Sequence, residues 1–241
     1  MQIIIESSGM KKIFLTLIVL VSTLLMYSCK SFEQATLAPE YAMPTLLPRL
    51  TCWIDQPSFE NVYGANSWSS KPSYDLQHPY GFTQTPYGKG VYEINETTTL
   101  YTAEKRIQDA AKIFVYDVNH NICDPTTRRV GNIVLRAGNI YCKNNYKWTW
   151  LSGFSLGIFN AMGMPMCSNI TEIEVIVEIY DLRDNLVAQF NERGYAKYPM
   201  AAYHGYYEFQ RKAGDMALND AMIKIKELIN RDYDMIMSKL R

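Results

Sequence analysis

The sequence predicts an α+β fold in which an antiparallel sheet packs against a long C-terminal helix, with a long irregular, aromatic-rich insertion. Residues 171–181 alternate apolar and polar side chains, and residues 186–194 supply a returning strand. Between Glu208 and Lys239 apolar residues recur at spacings of three and four, which predicts an amphipathic helix. Prolines and glycines recur throughout residues 56–100, and they exclude a regular helix or strand period there.

The first predicted strand is Arg49–Asp55. Its side chains alternate between an apolar face and a mixed face. The apolar face holds Leu50, Cys52 and Ile54, and the other face holds Thr51, Trp53 and Asp55.

The insertion at 56–100 carries many of the chain's aromatic residues, which make up 13% of the sequence and include 18 tyrosines. Exposed aromatic rings there could stack on sugar rings, and we name Trp68, Tyr74 and Tyr80 as candidate ligand-binding residues. The other interpretation is a loop held down by its own aromatic side chains, among which is Tyr87. Both interpretations stay open from the sequence.

After the insertion we predict a short helix at Thr102–Ala111 and a strand at Lys112–Val118. Turn residues follow at 119–125, and a second extended stretch lies between Arg129 and Tyr146.

The best-marked element is the hairpin that begins at Thr171. Ile173, Val175, Val177 and Ile179 share one face, which we expect to be buried. The opposite face carries Glu172, Glu174, Glu178 and Tyr180. Because no sequence feature of a catalytic cleft accompanies these glutamates, we interpret them as a solvent-exposed face of the strand rather than as a set of catalytic carboxylates.

Residues 148–171 contain no charged side chain, and this segment is long enough to span a membrane as a helix. Three glycines and Pro165 argue against a continuous helix. Burial between the sheet and the C-terminal helix, a docking surface for a partner or a bilayer, and a true span all stay open. The candidate contact residues are Trp150, Phe154 and Phe159.

Composition excludes several classes of function. Lysine plus arginine equals aspartate plus glutamate at 24 each, so the basic surplus of a nucleic-acid binder is missing. The three histidines are isolated, no cysteine pair has CxxC spacing, and no catalytic or nucleotide-binding motif occurs. We therefore expect no metal, no cofactor and no enzymatic activity. The sequence leaves open whether Cys52, Cys123, Cys142 and Cys167 form two disulfides or are free buried thiols.

The N-terminus has the pattern of an export signal. Lys11 and Lys12 precede the apolar run Ile13–Met26. As a helix these 14 residues would reach only about 21 Å, short of the ~30 Å hydrocarbon core of a bilayer. We predict a signal peptide at 1–28, with translation starting at Met10.

The signal ends in Met26-Tyr-Ser-Cys29, which resembles the lipobox of bacterial lipoproteins. This resemblance implies cleavage before Cys29 and lipidation of its thiol, for example with palmitate. Lys30 stands where an inner-membrane retention aspartate would be, so we expect the outer membrane, with the periplasmic or exterior orientation open. The expected organisation is a tether at 29–48 and one α+β domain at 49–241.

The element order, together with the Cys29 region, 172–181 and 213–221, resembles small envelope lipoproteins of the ABC-transport auxiliary and lipopolysaccharide-assembly kind. That resemblance implies a non-enzymatic protein that binds or scaffolds other envelope components. The alternative is a lipoprotein that binds carbohydrate or another small ligand through the insertion at 56–100.

Overall fold

The computed structural model describes residues 41–65, 84–97, 105–147, 149–154, 165–201 and 209–240. The chain divides into two compact units. Among the described residues, the larger unit comprises those within 41–145, 168–199 and 209–240, and the smaller comprises those within 146–167 and 200–201.

A five-stranded sheet forms the centre of the larger unit. Its strands are β2 (Leu50–Asp55), β5 (Val91–Ile94), β7 (Gly131–Asn145), β8 (Pro165–Asp181) and β9 (Leu186–Ala201). They lie in the order β5-β2-β7-β8-β9. β2 runs antiparallel to β5 and β7 runs antiparallel to β8, whereas β2 and β7 are parallel. The α+β prediction is confirmed, and the predicted antiparallel sheet contains one parallel pair.

Helices cover one face of this sheet. They are α1 (Gln56–Ala65), α2 (Lys105–Asp117), α4 (Phe209–Arg231) and α5 (Tyr233–Leu240). The sheet contributes alternate residues of each strand to the core, and α2 and α4 contribute apolar stripes. The predicted burial of Ile173, Val175, Val177 and Ile179 is confirmed, since none of them is more than 1% exposed.

The region predicted as a short helix and then a strand at Lys112–Val118 is instead one helix, α2, followed by a π-helix at Val118–Ile122. The β-branched and aromatic residues at 113–116 favour a strand locally. Ile107, Phe114 and Val115 nevertheless lie in the core at helical spacing, and this tertiary packing overrides the local preference.

The described parts of the stretch at 56–100, which are 56–65 and 84–97, are more regular than predicted. α1 begins beside Asp55, whose main-chain carbonyl accepts a hydrogen bond from Ser58 Oγ at 2.7 Å, and Pro57 occupies the first turn. A small hairpin of β3 (Gln84–Thr85) and β4 (Gly88–Lys89) precedes the edge strand β5. Residues 66–83 and 98–100 lie outside the described part of the chain.

The folded unit begins before Arg49, within the segment that the sequence analysis places in the tether. Met43 and Leu47 are buried in the core, and Met43 N–H donates to Asn121 O at 3.0 Å. Strand β1 (Leu47–Pro48) pairs in parallel with β6 (Cys123–Asp124). Residues 43–48 are therefore part of the fold.

The outer edge of β9 is covered by α4. A Cβ on Gly194 would lie 1.7 Å from Ala217 O, so only glycine permits this approach of strand and helix. Beside it, Tyr195 N–H donates to Asp220 at 2.9 Å and Lys224 Nζ donates to Arg193 O at 2.6 Å. These contacts satisfy main-chain groups that an edge strand would otherwise offer to another chain.

The smaller unit is described only in part. Helix α3 (Thr149–Phe154) lies in it, with the side chain of Trp150 exposed. Over the described ranges, no helix is both long enough and apolar enough to cross a bilayer.

All four described cysteines, Cys52, Cys123, Cys142 and Cys167, are free thiols, which is one of the two states left open by the sequence. Burial raises the pKa of Cys52 above its usual range and the pKa of Cys123 to about 12. Thiols with raised pKa values form little thiolate at neutral pH, so we interpret Cys52 and Cys123 as core residues.

Candidate binding face

The face of the sheet opposite the helices, here called the second face, carries an ordered set of aromatic and charged side chains. It follows from the alternation of β2, which directs Trp53 and Asp55 away from the helical core. Pairing places Trp53 beside Val134, and Asn132 beside Tyr180. The second face comprises Trp53, Asp55, Asn132, Val134, Arg136, Glu178 and Tyr180.

Arg136 lies at the centre of the second face and forms three interactions. Its guanidinium pairs with Asp55 and, through Nε, with Glu178 Oε2 at 2.8 Å. Its Nη2 donates to the main-chain oxygen of Tyr87 at 2.6 Å. Burial lowers the pKa of Arg136, but the hydrogen bonds and charges of Glu178 and Asp55 outweigh it and raise that pKa overall. One cation is thus fixed between two carboxylates.

Tyr87, from the turn of the β3–β4 hairpin, packs onto this face. Its ring lies 5.2 Å from Trp53 in an edge-to-face arrangement and 4.8 Å from Tyr180. The Tyr87 hydroxyl donates to Asp184, in the turn between β8 and β9. Burial, followed by this bond to Asp184, raises the pKa of Tyr87. Tyr87 therefore attaches the hairpin to the sheet through its main-chain oxygen as well as through its ring and hydroxyl.

Asn132 and Glu178 connect the aromatic and charged groups. Asn132 Oδ1 accepts hydrogen bonds from Trp53 Nε1 at 3.2 Å and from Arg129 Nη2 at 2.6 Å. Glu178 Oε2, which pairs with Arg136, also accepts from the Tyr180 hydroxyl at 2.8 Å. Burial and the neighbouring Glu178 raise the pKa of Tyr180. The network fixes the orientation of the half-buried rings of Trp53 and Tyr180.

The interpretation of the glutamates as a solvated face holds for Glu172, which is exposed, but is wrong for Glu178. The side chain of Glu178 is only 13% exposed and is paired with Arg136. Glu174 is also half-buried, and hydrogen bonds from Asn191 at 2.8 Å and Asn139 at 3.1 Å lower its pKa. The alternation of side chains along a strand shows on which face of the sheet a glutamate lies. It does not show which cation of the neighbouring strand lies beside it.

Of the site residues predicted from the sequence, the structure describes only Trp150 and Phe154. Cys29, Trp68, Tyr74, Tyr80 and Phe159 lie outside the described residues. Trp150 is 68% exposed on α3, and Phe154 ends that helix. Tyr87 is buried, so for this residue the interpretation of a loop held by its own aromatics is the better one.

Sequence reasoning missed Arg136 as the central residue. The available signal was an arginine in an extended run, two residues after a valine that faces the same side. Across the part of the chain that the structure describes, no group of three or more histidine, cysteine or acidic side chains is placed to hold a metal ion.

No protein-family model matches the sequence, and a search of the curated proteins finds no match to it.

Proposed function

We propose that the chain is a non-enzymatic lipoprotein of the cell envelope, anchored to the outer membrane through Cys29, which uses the second face to bind another envelope protein. The observation that carries the binding proposal is the cluster of Trp53, Arg136 and Tyr180, which hydrogen bonds fix on the sheet face opposite the helices. Tyr87 packs onto this face beside Val134, and the three side chains of the cluster stay partly exposed around it.

The composition of this cluster supports a protein partner. Tryptophan, tyrosine and arginine are enriched at protein interfaces and contribute most of the binding free energy there. Trp53 and Tyr180 are half-buried, and their hydrogen bonds to Asn132 and Glu178 limit the rotamers they can adopt. Side chains that are ordered before binding lose less conformational entropy on association, so the cluster is preorganised for a partner.

The anchor supports a partner close to the membrane. Eleven residues, 30–40, separate Cys29 from Tyr41, the first described residue. A fully extended chain covers at most ~3.3–3.6 Å per residue, so this segment spans at most about 40 Å. A partner of the second face would thus be a component of the envelope layer next to the bilayer.

The test is a detergent pull-down of the native lipoprotein with and without a charge introduced on the second face. Ile176 is half-buried and lies directly opposite Arg136 on β8. Ile176→Lys should reduce recovery of the partner at least tenfold, because it places an unpaired ammonium in the contact area. Met235→Lys, on the exposed side of α5, is the matched control and should leave recovery unchanged. Equal recovery by both variants would contradict the proposal.

A second candidate function is carbohydrate binding. It is favoured by the two half-exposed rings of Trp53 and Tyr180 beside the carboxylates of Asp55 and Glu178, since sugars are bound by aromatic faces with polar groups around them. A glycan array tests it. Binding that is lost in the double variant Trp53→Ala, Tyr180→Ala, with no protein recovered in the pull-down, would favour this candidate over the first.

A further inference from the structure

A buried triad of a lysine, an aspartate and an asparagine lies between α2 and α4. Lys226 Nζ donates to Asp117 Oδ1 at 2.6 Å, and Asn121 Nδ2 donates to the same oxygen at 2.7 Å. Because one oxygen accepts both bonds, the two nitrogens are at most about 5.3 Å apart. Lys226 is 1% exposed, Asn121 4% and Asp117 5%.

The elements that carry the triad also carry fully buried apolar residues. Ile225 and Ile229 on α4 and Phe114 and Val118 near the end of α2 are all fully buried in the same core. The ring of Tyr41 lies 5.9 Å from Lys226 Nζ. A lysine that is almost fully removed from water, with one carboxylate as its counter-ion, is a costly arrangement that stability alone does not favour.

Two further features mark this place as unusual. Asp117 Oδ2 is buried and has no hydrogen-bond partner among the described residues. Asn121 lies in the π-helix, which closes with a bond from Cys123 N–H to Val118 O. π-Helical turns are rare and occur frequently at functional sites. Asp117 Oδ2 is therefore available to hold a proton.

We propose that Lys226 and Asn121 become joined by an intramolecular isopeptide bond, with Asp117 as the proton carrier. Transfer of a proton along the Lys226–Asp117 hydrogen bond gives a neutral amine and a carboxylic acid. The amine nitrogen attacks Cγ of Asn121, and the bond from Cγ to Nδ2 breaks. Asp117 gives its proton to Nδ2 and receives one from the attacking nitrogen, so that ammonia leaves and the acid is restored.

This reaction needs no oxidant and no other reactant, since the amide and the amine are both side chains of the chain. Its product replaces the buried ammonium by a neutral amide beside a neutral acid, which removes charge from the core. The amine could also attack the carboxyl group of Asp117, but no carboxyl group of the triad would then remain to transfer protons. Attack on Asn121 leaves Asp117 free for that role and is therefore favoured. The bond would join the π-helix that follows α2 covalently to α4.

Peptide mapping of the full-length protein tests the proposal directly. A lysine in amide linkage resists trypsin, so Ile225–Arg231 should stay uncut at Lys226 and be joined to Ile113–Arg128. The joined peptide should be lighter than its two parts by the mass of one ammonia molecule. Fragmentation should place the link between Lys226 and Asn121. Recovery of unmodified Ile113–Arg128 together with a peptide beginning at Glu227 would overturn the proposal.

Two variants separate the chemistry from folding. Asp117→Asn keeps the shape of the side chain but cannot carry the proton, and it should yield only unlinked peptides. Lys224→Arg alters a partly exposed lysine of the same helix and should leave the link complete. A link in Asp117→Asn would overturn the role of Asp117, and a joined peptide lighter by one water molecule would overturn the assignment of Asn121.

Discussion

Arg136 Nε lies 2.8 Å from Glu178 Oε2, across neighbouring strands of the sheet. The side chains are 22% and 13% exposed, so the pair is largely removed from water. Asp55 contacts the same guanidinium from the other side. This arrangement organises the second face, since the main-chain oxygen of Tyr87 accepts a hydrogen bond from Arg136 and the hydroxyl of Tyr180 donates one to Glu178.

Removal of the central cation should destabilise the fold. Arg136→Met leaves two half-buried carboxylates without their counter-ion, which should cost about 2 kcal/mol of the free energy of unfolding. Urea denaturation followed by circular dichroism measures this cost. Arg183→Met, in the exposed turn between β8 and β9, is the control and should change stability by less than about 0.5 kcal/mol. Equal stability of the two variants would show that the network does not support the sheet.

Gly194 should not tolerate even one methyl group. Gly194→Ala places a carbon against the main-chain oxygen of Ala217, and separating β9 from α4 should cost about 2–3 kcal/mol. Gly153→Ala is a suitable control, because a Cβ at Gly153 meets no atom within 4 Å. Thermal unfolding of both variants is the measurement. An unchanged melting temperature for Gly194→Ala would contradict the close contact of strand and helix.

Asp215 on α4 should make stability depend on pH. Burial, and then the charge of Asp109, raise its pKa from 3.8 to about 6 in the folded state. Since the folded state holds this proton more tightly, stability falls as pH rises from about 4 to about 6 and stays lower above that.

Asp215→Asn should therefore stabilise the protein at pH 7.5 and have little effect at pH 4. We expect a gain of about 1–2 kcal/mol at the higher pH, reduced from the full shift because the carboxyl is partly exposed to solvent. Unfolding at both pH values measures it. Asp234→Asn, an exposed aspartate on α5, should give no gain at either pH. An equal gain from Asp215→Asn at both pH values would contradict the raised pKa.

Lipidation should depend on Cys29 alone among the cysteines. Cys29→Ser removes the thiol that the lipobox pattern places at the mature N-terminus, so incorporation of a palmitate analogue should disappear. Cys142→Ser is the control, because it changes a half-buried thiol within β7 and should leave labelling intact. Unchanged labelling of Cys29→Ser would place the lipid elsewhere.

The sequence predicts those elements in which the apolar residues follow a single period, either that of a strand or that of a helix. β2, the β8–β9 hairpin and the C-terminal helical region all show such a pattern, although a break at Asp232 divides the predicted helix into α4 and α5. The region at 112–118 shows two conflicting signals, β-branched composition and helical burial, and only tertiary packing decides between them. The parallel pairing of β2 with β7 depends on contacts distant in sequence, which no local pattern contains.

The candidate binding face was less predictable than the fold. The alternation of β2 predicts that Trp53 and Asp55 share a face. The pairing of Arg136 with Glu178 depends on the register between β7 and β8, including an irregularity between Ala137 and Ile140. Tyr87 is one aromatic among many in its segment, and the sequence does not show that it alone reaches Asp184.

Photo-crosslinking in intact cells tests the central claim, that the second face binds an envelope protein, most directly. A photoreactive amino acid at position 176 should give one discrete adduct of higher mass, because Ile176 pairs with Arg136 and lies on the same side of the sheet as the second face. The same amino acid at position 235, on the exposed side of α5, should give none. Absence of an adduct at position 176, or the same adduct from both positions, would contradict the proposed binding face.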